Sequence, residues 1–520
     1  MHLDREACYR AMLTRDARFD GRFFTCVRTT GIYCRPICPA RVPKLEHVVF
    51  LPSAAAAQAA GYRSCLRCRP ETSPELAAWH GTASTVARGM APIAAGALNP
   101  ADVDSLARRL GIGERQLRRL FAQHLGASPK AVAQTRRVLL AKQLITDTTL
   151  PMTEVALASG FGSVRRFNAA IRTLYGRPPR SLRRAAGPDA PAGSAITLTL
   201  PYKSPYDWPG MIGFLATRAI PGVERVTGDA YARTIALGEA TGTLVVRPAA
   251  QAGGSAGHGL VATIRFPDIA ALPAIVARIR RIFDLGADPG VIAAHLSEDP
   301  HLARLVAARP GLRVPGAWDG FELAMRAVLG QQISVAAATR LAGTLVAALG
   351  TPLPASAEPA PPGLTHVFPS AARIAAADLA ATLGMPRARI AALHAVAEAA
   401  LADPGLFEPG RDLEAAVARL CAVRGIGAWT AHYIAMRALR EPDAFPTADI
   451  GLLRALATPA GRPTPAALQL RAAGWRPWRA YAALHLWAAD PGAPVLAQER
   501  SHETVARSPA VPARDAAAGL

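Results

Sequence analysis

Residues 420–453 read LCAVRGIGAWTAHYIAMRALREPDAFPTADIGLL. Gly425-Ile426-Gly427 stands between two helix-compatible segments. Two glycines around one apolar residue permit a tight hairpin whose backbone N–H groups can come close to a phosphate. About twenty residues later, Asp449 follows the extended run Phe445-Pro446-Thr447-Ala448 and opens another apolar helical segment. On residue type alone, a carboxylate in that place is a helix cap. The hairpin before it and the surrounding aromatics admit a chemical role as well.

The rest of the chain sets the context. With 520 residues it is too long for one ordinary core, so several domains are expected. Half of the residues are apolar, and no uncharged apolar run is long enough to span a bilayer. The start, MHLDREACYR, has no signal-peptide apolar region, so the expectation is a soluble cytoplasmic protein without a membrane partner. The net charge of +21 is unevenly spread: residues 81–186 hold 17 Lys and Arg against 5 Asp and Glu. A basic block of that kind suits a polyanion, or is a solvated face.

Of the seven cysteines, Cys34, Cys38, Cys65 and Cys68 make two close pairs about thirty residues apart. Four thiolates so spaced suit one tetrahedral zinc ion, a staple that so small a domain needs. The intervening HVVFLPSAAAAQAAGY supplies a strand and a short helix. Cys8 and Cys26 read as buried small hydrophobes. The run Arg28-Thr29-Thr30-Gly31-Ile32-Tyr33-Cys34-Arg35-Pro36, with Ala40-Arg41 and Gly61-Tyr62-Arg63-Ser64-Cys65, resembles the N-terminal domain of the Ada-type adaptive-response regulators. The resemblance implies that Cys34 takes a methyl group from a DNA methylphosphotriester, with Thr30 and Arg41 near the DNA backbone. A purely structural Cys34 is the alternative.

Residues 81–100 read as a linker rich in small residues. Beyond it, Leu106, Leu110, Leu117, Leu120 and Phe121 trace a helical apolar face broken at Gly111. A second such unit has its turn at Gly160, and the two end alike in Gly126-Ala127-Ser128-Pro129 and Gly176-Arg177-Pro178-Pro179. This tandem resembles the AraC-type helix-turn-helix domain. It implies groove-facing residues Arg115, Gln116, Arg118 and Arg119 in the first unit, and Ser163, Arg165, Arg166 and Asn168 in the second. Double-stranded DNA and RNA polymerase are the partners implied.

After a linker at 187–195, the runs ITLTLPY, YARTIAL, GTLVVRP and LVATIRF alternate as antiparallel strands. The glycine-rich QAGGSAGHG between two of them reads as a mobile loop. This unit, with Ser204-Pro205-Tyr206-Asp207-Trp208, resembles the N-terminal domain of bacterial 3-methyladenine DNA glycosylase II. It shows no catalytic set, and a packing role is expected. From about Ala287 to about Asp490 the chain reads as helical, broken by PLPASAEPAPPG at 352–363. It resembles the same glycosylase, which implies the helix-hairpin-helix fold with a cleft between two helical lobes.

The glycosylase resemblance places Asp449 as the catalytic carboxylate and Gly425 and Gly427 in the DNA-binding hairpin. Trp429, Tyr433 and Trp487 match the family's aromatic cleft, with Trp318 as an addition. Breaking a C1′–N bond needs a carboxylate near the cationic sugar, and a cationic alkylpurine suits aromatic faces. In lyase-active relatives a lysine stands where Trp429 is, so a monofunctional glycosylase is implied. The C-terminal half contains only Cys421, so no iron–sulfur cluster can form from it. Two departures stand out: Gln332 replaces an aliphatic wedge, and Ile450 replaces an aromatic after Asp449.

The expected fold class is multidomain and mainly α. It comprises a zinc-stapled α+β domain (1–78), a tandem helix-turn-helix domain (84–186), a strand-rich α+β domain (196–285) and an all-α helix-hairpin-helix glycosylase domain (286–490), with a disordered tail (491–520). The function implied is release of alkylated purines such as 3-methyladenine and 7-methylguanine, joined to a methylphosphotriester sensor and a transcription regulator. The alternative is an adaptive-response regulator whose C-terminal half only binds damaged DNA. A third reading, an O6-alkylguanine transferase half, lacks the Pro-Cys-His-Arg motif it needs.

Overall fold

A computed structural model describes residues 4–74, 82–96, 98, 103–183, 195–249, 259–354, 360–410, 412–459 and 461–490. The tail at 491–520, the glycine-rich loop at 250–258 and most of the linker at 187–195 lie outside the described residues.

The zinc-type module is a four-stranded sheet in the order β3-β1-β2-β4, formed by β1 (Phe24–Val27), β2 (Ile32–Cys34), β3 (Val48–Leu51) and β4 (Arg63–Ser64). Helices α1 (Arg5–Leu13) and α2 (Ala54–Ala59) accompany it. Cys8 and Cys26 are buried, and burial pushes their thiols up to about 11 and about 12, so they stay neutral and pack as small apolar groups.

Residues 81–100, whose small side chains predict a linker, are instead in part a helix, α3 (Thr82–Ala94). Its small residues serve close packing: a Cβ at Gly89 would lie 3.2 Å from the Phe121 ring. The tandem unit follows as α4 (Val103–Arg109), α5 (Glu114–Leu125), α6 (Pro129–Asp147), α7 (Met152–Ala158) and α8 (Val164–Tyr175). Its repeat is visible in the caps, because Gly126 and Gly176 both end their helices at φ +67°.

Next comes a five-stranded antiparallel sheet in the order β5-β9-β8-β7-β6. Its strands are β5 (Ile196–Pro201), β6 (Glu224–Thr227), β7 (Ala230–Leu237), β8 (Ala240–Pro248) and β9 (Gly259–Arg265), with helices α9 (Trp208–Ala216) and α10 (Leu272–Ile282). β6 is not legible in the sequence, because ERVT carries only one apolar residue. The apolar face of this sheet shares one continuous core with α6, α7 and α8.

The remaining helices are α11 (Pro289–Leu296), α12 (Pro300–Ala308), α13 (Gly320–Leu329), α14 (Val335–Leu349), α15 (Ala371–Ala376), α16 (Leu379–Leu383), α17 (Arg387–Ala402), α18 (Leu413–Cys421), α19 (Ala428–Arg437), α20 (Ile450–Ala455), α21 (Pro465–Arg471) and α22 (Arg479–Ala489). They bury a second large core that includes Leu323, Val328, Leu393, Ile434, Leu452 and Tyr481. Ion pairs join the regulator-like half to this one: Arg22 with Asp288 at 2.7 Å and Arg88 with Glu441 at 2.7 Å. No helix among the described residues is long and apolar enough to cross a membrane.

Candidate functional site

The hairpin between α18 and α19 needs its glycines for different reasons. Gly425 sits at φ +88°, and a Cβ there would lie 2.2 Å from that of Ala392 on α17. Gly427 has open space and an ordinary φ of −84°; it caps α19 without a side-chain acceptor. The first N–H groups of α19 therefore start at an exposed, uncapped helix end, a place suited to a phosphate. Ile426 is buried and anchors the turn. Gln331 Nε2 donates to the Gly425 carbonyl at 2.9 Å, tying the α13–α14 loop to the hairpin. Gln332 beside it is exposed at φ +61°, a left-handed conformation held in that loop.

Asp449 is indeed an N-cap: its Oδ1 accepts from the Leu452 N–H at 2.9 Å. It is also the meeting point of two indoles. Trp429 Nε1 donates to Oδ2 at 2.8 Å, and Trp487 Nε1 donates to Oδ1 at 2.8 Å. The carboxylate is thus fixed in rotation by three donors from α19, α20 and α22. Trp429 stacks on Tyr433 with ring centroids 5.3 Å apart and planes 11° apart, as residues four apart on one helix face do. Trp429 remains 38% exposed, an unusual state for so large an apolar ring and one consistent with a cleft wall.

Behind Tyr433 the wall continues into the sheet domain. Arg437 donates to the Tyr433 hydroxyl and lies 4.7 Å from the Phe214 ring centroid; Arg218 lies 3.9 Å from the same ring. Burial pushes the Tyr433 phenol up, but the Arg437 and Arg218 charges and the Arg437 hydrogen bond outweigh it and hold it below its ordinary value. Phe214, on α9, and Arg218, just beyond it, thus pack behind Arg437 and Tyr433. Trp318 is not brought to Asp449. It is 4% exposed, with Arg233 and Arg278 over its ring at 5.4 and 5.1 Å, and it lines the small cavity behind Phe214. Its place just before the α13 cap, Asp319, turns it into the sheet domain's core.

The sulfurs of Cys34, Cys38, Cys65 and Cys68 all lie within 4.8 Å of one another. Tetrahedral zinc with Zn–S bonds of about 2.3 Å places sulfurs about 3.8 Å apart, so the donor set fits that ion. Cys65 Sγ accepts from the Arg67 N–H at 3.3 Å and Cys68 Sγ from the Arg35 N–H at 3.4 Å. Cys34 ends β2 and is half-buried, so solvent reaches it more readily than Cys65 or Cys68. Thr30 in the β1–β2 turn and Arg41 are both exposed.

On the tandem unit, Arg115, Gln116, Arg118 and Arg119 are exposed on α5, and Arg165 and Arg166 on α8; Asn168 is half-buried. Arg118 is paired with Glu114 at 2.8 Å, and Ser163 caps α8 by accepting from the Arg166 N–H at 3.2 Å.

Four family models match along the chain in order. They are the metal binding domain of Ada over residues 7–71, a helix-turn-helix domain over 106–185, the AlkA N-terminal domain over 197–319, and the HhH-GPD superfamily base excision DNA repair protein over 325–480. The fold and site define a helix-hairpin-helix DNA repair glycosylase joined to a zinc-binding, helix-turn-helix regulator. A probable bifunctional transcriptional activator/DNA repair enzyme AlkA of Mycobacterium tuberculosis is 43% identical over 495 residues, covering 94% of this chain and 97% of the relative. DNA-3-methyladenine glycosylase 2 of Escherichia coli is 38% identical over 56% of this chain and 96% of its own length. The bifunctional transcriptional activator/DNA repair enzyme Ada of Escherichia coli is 33% identical over 32% of this chain and 46% of its own length. The chain belongs to the AlkA-type family of bifunctional transcriptional activator/DNA repair proteins.

Proposed function

We propose that this chain excises alkylated purines such as 3-methyladenine from DNA as a monofunctional glycosylase, and that its N-terminal half senses and responds to DNA methylation. The observation that carries the glycosylase reading is the Asp449 carboxylate, held by Trp429 and Trp487 at 2.8 Å each at the edge of an aromatic wall. The flipped base stacks against the exposed face of Trp429, which Tyr433 backs, and a cationic alkylpurine gains from that face. As the C1′–N bond breaks, its electron pair leaves with the base, which neutralises the alkylpurine. Asp449 stabilises the positive charge on the sugar, and solvent water adds to C1′ and loses a proton. No lysine stands in the hairpin to attack the sugar, because Trp429 occupies that place. A reading in which this half only binds DNA gives the two indole N–H groups on Asp449 no role beyond holding the α20 cap.

In the N-terminal module, a zinc ion on Cys34, Cys38, Cys65 and Cys68 would keep the Cys34 sulfur a thiolate at neutral pH. Cys34 Sγ attacks the methyl carbon of a methylphosphotriester. The S–C bond forms and the C–O bond breaks, and the electron pair stays on the phosphate oxygen, restoring a diester. The methyl stays on Cys34, so each chain reacts once. The exposed Arg115, Arg118, Arg119, Arg165 and Arg166 hold duplex DNA, and at a promoter the bound chain recruits RNA polymerase. The test is chromatography of bases released from methylated duplex DNA. Free 3-methyladenine is the expected product; its absence, with DNA binding intact, would favour the binding-only reading.

A further inference from the structure

Lys142 lies on α6, the helix that joins the two helix-turn-helix units, and takes no part in the chemistry above. Its side chain is 1% exposed. The ammonium donates to Glu71 Oε2 at 2.7 Å, to the Cys65 peptide oxygen at 3.0 Å and to Ser64 Oγ at 3.4 Å. A buried cation thus grips the backbone of a residue whose sulfur belongs to the four-cysteine centre. Three further bonds hold the same segment. Ser64 Oγ and the Tyr175 hydroxyl at the end of α8 are 2.6 Å apart, and Arg69 donates to Asp147 at 2.6 Å and Thr146 at 3.0 Å at the end of α6. The segment that carries Cys65 and Cys68 is therefore pinned by both α6 and α8. Burying a lysine costs side-chain entropy and desolvation that an apolar residue would avoid. What the charged clasp adds is a fixed register between the centre and the two DNA-reading units.

We propose that Lys142 is a positioning residue that locks the four-cysteine centre onto the tandem helix-turn-helix unit, so that methylation at Cys34 tightens the hold of both units on DNA. The proposal rests on the reading of Cys34 as the methyl acceptor. Methylation removes one negative charge from the centre and with it part of the repulsion from DNA phosphates. In a locked arrangement that relief adds directly to the contacts of α5 and α8. With a loose joint the unmethylated centre can swing away from the phosphates, so there is less repulsion for methylation to relieve.

The test uses the full chain and reads three quantities: zinc content, labelled methyl taken from a methylphosphotriester duplex, and affinity for a short unmodified duplex before and after uptake at fixed salt. The variant is Lys142→Met with Glu71→Gln, which leaves neither charge buried alone. It is expected to hold zinc and accept methyl as the wild type does, while its gain in DNA affinity on methylation shrinks to within about two-fold of none. A gain equal to that of the wild type overturns the proposal. Tyr175→Phe, which removes only the bond to Ser64, decides the matter if the double variant loses zinc: its gain is expected to fall to about half or less, and an unchanged gain overturns the clasp. A wild type that takes up no methyl sinks the acceptor reading, and the proposal with it.

Discussion

Trp429 Nε1 donates to Asp449 Oδ2 at 2.8 Å, across twenty residues of chain. This bond joins the hairpin helix α19 to the residue that opens α20. Replacing Trp429 by Phe keeps a ring against Tyr433 and removes the donor. Single-turnover base release by Trp429→Phe is expected to slow about ten-fold or more with DNA affinity nearly unchanged. An unaltered rate would show that the indole only stacks.

The same tryptophan predicts the outcome of borohydride treatment. Lyase chemistry needs an amine at the hairpin to form a Schiff base with the sugar. With Trp429 in that place, reduction during turnover is expected to leave no covalent protein–DNA species on a denaturing gel, and Trp429→Lys supplies a candidate amine as the comparison.

The two hairpin glycines should respond differently. Gly425→Ala places a methyl 2.2 Å from the Ala392 Cβ at a φ of +88°, so thermal stability is expected to drop by about 2 kcal/mol or more, with weaker DNA binding. Gly427→Ala meets nothing within 4 Å and is expected to cost a few tenths to about 1 kcal/mol, as the loss of a glycine cap. Unfolding curves and DNA titrations of both variants check this.

Cys34→Ala separates the two halves. Labelled methyl from methylphosphotriester DNA should no longer appear on the protein, while release of 3-methyladenine stays within about two-fold of the wild type. Methyl on the variant would place the acceptor at another cysteine.

Much of this architecture was legible because its signals are local. The Cys34–Cys38 and Cys65–Cys68 spacings, the two glycine-ended helix pairs and the alternating runs of β5, β7, β8 and β9 each fall within a few residues of sequence. The helix α3 was hidden by its composition: alanine, glycine and threonine read as a linker until Gly89 is seen against Phe121. The packing of Phe214 and Arg218 behind Arg437 is not legible for a different reason: they lie over two hundred residues before it in the chain. Trp318 differs from its expectation: the resemblance adds this aromatic to the cleft, whereas Arg233 and Arg278 over its ring hold it in the core of the sheet domain.

The carboxylate itself carries the central claim. Asp449→Asn keeps one side-chain oxygen for the Leu452 and Trp487 N–H groups, loses the acceptor for Trp429 Nε1 and removes the charge; the cap is retained, so folding and DNA binding should persist. The decisive measurement is single-turnover release of 3-methyladenine from alkylated duplex DNA by Asp449→Asn, with affinity for the same duplex measured alongside. The predicted result is a rate lowered by about 100-fold or more at near-wild-type affinity. Release at the wild-type rate would contradict the account.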